Sequence, residues 1–119
     1  MLSKKNRTSK KLVEKIFKLG KFVNSPNLTL KYINKEDSVP RVGFIAPKTV
    51  SKKAVDRNLL RRRGYSVLKN YLTVLPFGFA GVFIFNKKSM EIFGRSKNKT
   101  RNPALELEKE IKSILRKLK

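Results

Sequence analysis

The sequence predicts a small single-domain α+β fold, an α-β sandwich in which a short mixed sheet packs with helices. Three observations predict it. Apolar residues recur near the helical period at both ends of the chain, short strand-like segments precede residue 46, and a nearly continuous β-prone run occupies residues 80–85. With 119 residues, 39% of them hydrophobic, the chain has the size of one domain with one modest core.

From Ser9, a candidate N-cap, Leu12, Val13, Ile16, Phe17 and Leu19 follow the 3.6-residue period, and Gly20 is a stop. The residues before Ser9 form a polar, basic arm, residues 1–8. Asn24-Ser25-Pro26-Asn27 reads as a loop, and then Leu28, Leu30 and Tyr32 alternate with Thr29, Lys31 and Ile33 as a two-faced strand. After a turn-prone stretch to Pro40, residues 41–46 read as a second strand that Pro47 ends.

Within the strongly charged stretch 48–70 a helix is expected to start near residues 51–54 and run through Arg63, with Gly64 a candidate kink. At 100° per residue Lys53, Arg57, Asn58, Arg61 and Arg62 fall on one side, while Val55, Leu59, Leu60 and Val67 fall mostly on the other. The run Ala80-Gly81-Val82-Phe83-Ile84-Phe85 suits a central strand covered on both faces. Residues 86–103 are expected to be a long basic loop. A C-terminal helix over 104–118 follows, with Asn102 as cap, Pro103 in the first turn and a seam of Leu107, Ile111, Ile114, Leu115 and Leu118. If the strands around the middle helix are parallel, general rules favour a right-handed crossover.

Charge and absent residue types narrow the function. Thirty Lys and Arg face eight Asp and Glu, a formal net charge of +22. Such an excess favours a polyanionic partner through counterion release, nucleic acid first and an anionic membrane surface second. No run approaches the roughly 20 apolar residues that span a bilayer, and MLSKKNRTSKK has no apolar core of a signal peptide. With no Cys and no His, the chain cannot supply thiolate nucleophiles, imidazole bases, Ser-His-Asp triads or the usual zinc sites, and its few acids are scattered. Hydrolysis by the protein's own groups is therefore not expected, and zero Cys fits a reducing compartment.

The block Arg41-Val42-Gly43-Phe44-Ile45, Lys48, Ser51-Lys52-Lys53-Ala54-Val55-Asp56-Arg57-Asn58-Leu59-Leu60-Arg61-Arg62 resembles the signature of the bacterial ribonuclease P protein subunit. That signature is a glycine-containing strand, a Lys-rich turn, Ala-Val, and a basic helix centred on Arg-Asn. Ile16-Phe17 and Gly20-Lys21-Phe22 resemble the family's first helix and following turn. Leu59 here follows Arg57-Asn58 where the family commonly has a second Arg, and Val13 stands where an early aromatic is usual.

The resemblance implies a ribosomal-protein-like sandwich with a left-handed βαβ crossover, against the general rule. It implies a cytoplasmic bacterial protein that joins the ribonuclease P RNA as a monomer in a 1:1 ribonucleoprotein and acts on precursor tRNA. The RNA subunit would remove the 5′ leader with Mg²⁺ held by the RNA rather than by protein side chains, leaving the protein no catalytic residue. Lys48, Lys52, Lys53, Arg57, Asn58, Arg61 and Arg62 would contact the catalytic RNA; Val13, Phe17, Phe22 and Tyr32 would line the leader-binding cleft. Arg offers planar bidentate donors to phosphates, and aromatic faces stack unpaired bases with little sequence preference.

Other readings stay open. Phe17 at helical spacing is also the pattern of a core residue. A ribosomal or other structured-RNA-binding protein shares this size and charge, and would bind ribosomal RNA without affecting tRNA processing. A nucleoid-type DNA-binding protein would prefer duplex, although no helix-turn-helix or wedge-bearing β-arm is evident. A metal-dependent nuclease would need carboxylates such as Asp56 and Glu91 and would cleave without an RNA subunit.

Overall fold

A computed structural model of the chain describes residues 6–34, 40–75, 78–94 and 102–118. Helix α1 (Lys10–Leu19) begins where the Ser9 hydroxyl accepts from the Leu12 backbone N–H at 3.2 Å, satisfying one of the unpaired donors of the first turn. Leu12 and Ile16, one turn apart, are its buried residues. Gly20 closes it by donating its N–H to the Ile16 carbonyl at 2.7 Å.

Strand β1 (Lys21–Asn24) follows at once and pairs antiparallel with β2 (Leu28–Asn34). The sequence pattern predicts no strand here. Only Val23 of its four residues is half-buried, so β1 lacks the alternation that marks a strand and is made by pairing with β2. The turn between them is pinned from outside. The Glu110 carboxylate accepts from Ser25 Oγ at 2.6 Å and from Asn27 N and Nδ2 at 2.8 and 2.9 Å, and Ser89 Oγ donates to the Asn27 carbonyl at 2.7 Å.

The sheet order is β1-β2-β4-β3, with β2 antiparallel and β3 (Arg41–Ile45) parallel to the central strand β4 (Phe79–Phe85). All of β4 is buried except half-buried Ile84, as the continuous apolar run predicts. One face of the sheet carries Leu28, Leu30, Val42, Phe44, Phe79, Phe83 and Phe85 into the main core. The other carries Ala80 and Val82 beneath Leu12 and Ile16 of α1. Strands β3 and β4, neighbours and parallel, are joined through α2 (Ala54–Leu68) and a 3₁₀ segment (Lys69–Val74).

Helix α2 buries Leu60, Gly64, Val67 and Leu68, while Val55 is 53% exposed. This corrects the expected apolar arc, in which Val55 shared a side with Leu60 and Val67. Gly64 sets the inward face: a Cβ there would lie 2.5 Å from the Phe44 ring, so helix and sheet approach at that point through the missing side chain. The helix runs through Gly64 without ending. With Gly64 inward, Val55 turns outward.

The expected loop after β4 contains a short helix, α3 (Ser89–Phe93), a further correction. Arg63 holds it from α2, donating from Nη1 to the Phe93 and Gly94 carbonyls at 2.5 and 2.7 Å. Helix α4 (Pro103–Arg116) starts as expected: Asn102 Oδ1 accepts from Ala104 N and Leu105 N at 3.0 and 3.4 Å, and Leu107, Ile111 and Ile114 enter the core. Of the expected basic arm, residues 1–5 lie outside the described residues; so do 35–39 of the turn and 95–101 of the loop. Arg7 forms an isolated parallel bridge to Val42, bringing the arm's end to β3. Among the described residues no helix is long and apolar enough to cross a membrane.

Candidate nucleic-acid interface

Two surfaces collect the predicted site residues. On the first, α1 covers only part of its sheet face. Phe17 is 42% and Phe22 64% exposed, and the Lys31 ammonium stands 5.1 Å from the centre of the Phe17 ring. Lys31 is directly opposite Phe22 in the β1-β2 register, which places the two side chains on one face. Val13 packs half-buried against Leu12, Ile16, Ala80 and Val82 at the same face. Lys10, Lys11, Lys15 and Lys18 on α1 are all exposed. Val13, Phe17 and Phe22 therefore come together.

Tyr32 does not join them. It continues the Leu28-Leu30 face and stacks on Phe79, ring centres 5.9 Å apart and planes 22° apart, half-buried against the main core on the face opposite α1. Period-two alternation commits it there: two buried leucines fix which face Tyr32 shares. Lys31, absent from the predicted cleft, takes the position between the aromatics, and the Thr29-Lys31-Ile33 alternation is the signal that could have found it.

The second surface is the start of α2 with the turn before it. Lys48, Lys52, Lys53, Asn58 and Arg62 are exposed and Arg61 is half-buried. Arg57 is engaged locally, its Nη1 donating to the Ser51 and Lys52 carbonyls at 2.9 and 3.1 Å and bracing the turn that presents the lysines. Ser51 Oγ donates to Asp56 Oδ2 at 3.0 Å and accepts from the Lys53 N–H at 3.2 Å, completing that brace. Asn58 Oδ1 accepts from Arg61 Nη2, which orients both side chains. The unpaired N–H groups of the first helical turn add to the positive potential of these cations, so an anion is favoured here. Val55, Asn58, Arg61, Arg62 and Tyr65 line a shallow depression of about 390 Å³ on this helix.

Asp56, one carboxylate of the nuclease alternative, is committed to Ser51; the Glu91 side chain lies outside what the structure describes. Among the described residues no three His, Cys, Asp or Glu side chains converge as metal ligands. Shifted ionisation occurs where the 3₁₀ segment meets α4. The Tyr71 hydroxyl donates to Glu108 at 2.5 Å, with Lys112 3.6 Å from the same carboxylate. That hydrogen bond holds Glu108 below the usual carboxylate range and raises Tyr71; Lys112 is raised foremost by its hydrogen bond with Tyr71.

Comparison with known proteins adds the family. Residues 2–119 match the Ribonuclease P family model. The ribonuclease P protein component of Microcystis aeruginosa is 35% identical over 82 residues, 64% of this chain and 67% of that one. The RNase P protein of Staphylococcus aureus superposes with a TM-score of 0.76 at 17% identity, over 96% of this chain and 95% of that chain. The Thermotoga maritima RNase P protein, in complex with 1-(4-fluorophenyl)-2-thiourea, gives 0.75 at 23% identity, over 90% and 94%. The structural likenesses establish the mixed four-stranded fold, while the family match runs through nearly the whole sequence. The chain is thus a member of the ribonuclease P protein family, a protein subunit of the holoenzyme that processes the 5′ ends of tRNA together with the ribonuclease P RNA.

Proposed function

We propose that this chain binds both RNAs of the processing reaction, the catalytic RNA through the basic face at the start of α2 and the single-stranded 5′ leader of precursor tRNA through the open face between α1 and the sheet. The observation that carries the reading is the pair of exposed phenylalanines, Phe17 and Phe22, on either side of Lys31. Exposed Phe rings gain little for the fold, but they stack unpaired bases of any sequence, and a lysine between them meets the intervening phosphate. A leader of arbitrary sequence calls for that tolerance. Phosphoester hydrolysis falls to the RNA subunit with its Mg²⁺, and the protein's part is to hold and align, as its lack of His and Cys suits. The expected assembly is one protein per RNA, in the cytoplasm of a bacterium.

The test compares holoenzyme affinity for leader-bearing precursor and for mature tRNA, with wild-type protein, Phe17→Ala and Phe22→Ala. Base–aromatic stacking contributes about 1–3 kcal/mol, so each variant should weaken precursor binding by roughly 5- to 150-fold and leave mature tRNA unchanged. Equal losses for the two substrates, or none for either, would remove the leader assignment.

A further inference from the structure

Val55 is out of place on a purely electrostatic surface. It stands in the first turn of α2, 53% exposed among Lys52, Lys53, Asn58, Arg61 and Arg62, where any polar residue would serve solubility and phosphate attraction equally well. It also forms one end of a shallow concavity that runs along the helix past Asn58, Arg61 and Arg62 to Tyr65. The polar parts of this concavity are oriented before anything binds. The Tyr65 hydroxyl accepts from the Phe44 backbone N–H at 3.3 Å, and its ring meets Phe44 edge-on, centres 5.0 Å apart at 75°. Asn58 Oδ1 is engaged by Arg61, so the Asn58 amide presents its two N–H donors.

We propose that this depression seats one unstacked nucleobase of the ribonuclease P RNA. Its ring lies on Val55, an acceptor-bearing edge faces the Asn58 amide one turn on, and the neighbouring phosphates meet Arg61 and Arg62. The inference rests on assigning α2 to the RNA subunit and goes beyond it: the helix captures a base as well as neutralising phosphates. Structured RNA is recognised by proteins largely through such splayed-out bases, and a base in an apolar seat adds affinity that salt does not screen. The depression, at about 390 Å³, falls within the size range of small-ligand sites.

Because the two contributions respond differently to salt, they can be separated. Affinity for a cognate ribonuclease P RNA transcript is measured across monovalent salt for wild type, Val55→Ser and Arg61→Gln, and 2′-hydroxyl acylation maps the transcript in each complex. Val55→Ser should weaken binding about tenfold at every salt concentration with the slope of log K against log salt unchanged, and should expose a nucleotide that wild type protects. Arg61→Gln should reduce that slope by about 0.7–0.9. Val55→Ser within about twofold of wild type, or with no change in the acylation map, overturns the base seat even if Arg61→Gln behaves as expected. If Arg61→Gln changes neither affinity nor slope, the assignment of α2 to the RNA fails, and the base seat with it. Val55 is exposed, so the serine variant should melt as wild type does, and circular dichroism checks this.

Discussion

Gly64→Ala should destabilise the protein, although helix propensity alone predicts the reverse. In a free helix the change gains about 1 kcal/mol. Here the new methyl would lie 2.5 Å from Phe44 Cδ1 and Cε1 and 2.9 Å from Cγ, against an ordinary carbon–carbon contact of about 3.5–4.0 Å. The gap must open by about 1 Å, and the Phe44 ring has little room to yield. It is 4% exposed, stacked on Phe83 at 5.0 Å and edged by Tyr65 at the same distance. Overpacking costs about 1–3 kcal/mol, and a clash against a clamped ring belongs at the upper end, leaving a net loss of about 2 kcal/mol. For a chain of 119 residues that lowers Tm by about 8 °C, followed by far-ultraviolet circular dichroism. Ser66→Ala, on the exposed side of the same helix, should raise Tm slightly, and Phe44→Leu added to Gly64→Ala should recover part of the loss. A Gly64→Ala protein that melts at or above the wild-type temperature would refute the close helix–sheet approach and the outward placement of Val55 that follows from it.

Tyr32→Leu should lower Tm through the lost Phe79 stack yet leave the preference of the holoenzyme for leader-bearing substrate unchanged; a selective loss of precursor binding would return Tyr32 to the leader face. Tyr71→Phe should have a pH-dependent cost. Glu108, held low, stabilises the fold above the usual carboxylate range and loses that contribution as pH falls through its lowered value. Tyr71 and Lys112, held high, contribute fully below the usual phenol and ammonium ranges and lose it as pH rises through their raised values. The Tm difference between wild type and Tyr71→Phe should therefore be greatest between those limits and shrink at both extremes, and a difference constant with pH contradicts the network. With about 6 to 10 phosphate contacts, affinity for the RNA subunit should fall roughly 10³- to 10⁵-fold between 50 and 200 mM monovalent salt, whereas a flat response contradicts a phosphate-dominated interface.

The elements with strong local signals were legible in the sequence. Ser9 and Asn102 carry their caps, the run at residues 80–85 is the central strand, and Leu107, Ile111 and Ile114 form the seam of α4. Elements completed by contacts with other elements were not. Strand β1 is four residues completed by β2, and α3 is little more than one turn, fastened by Arg63 from α2. At the site, composition and the Arg-Asn block marked the basic helix, but Gly64 reads as a kink until Phe44 is seen beneath it, so the outward turn of Val55 was hidden. Tyr32 is a different case. The alternation with Leu28 and Leu30 was present, and only the position of α1 on the opposite face was missing. Arg57 looked like a free fork because its acceptors are backbone carbonyls, which no side-chain pattern announces.

Reconstitution asks whether this protein enables an RNA to remove the 5′ leader. Purified protein, the cognate ribonuclease P RNA and a 5′-labelled precursor tRNA are combined at low Mg²⁺, beside protein-only and RNA-only reactions. Efficient release of the leader is expected in the complete mixture alone. A mixture no faster than the RNA by itself, or cleavage by the protein without RNA, would contradict it.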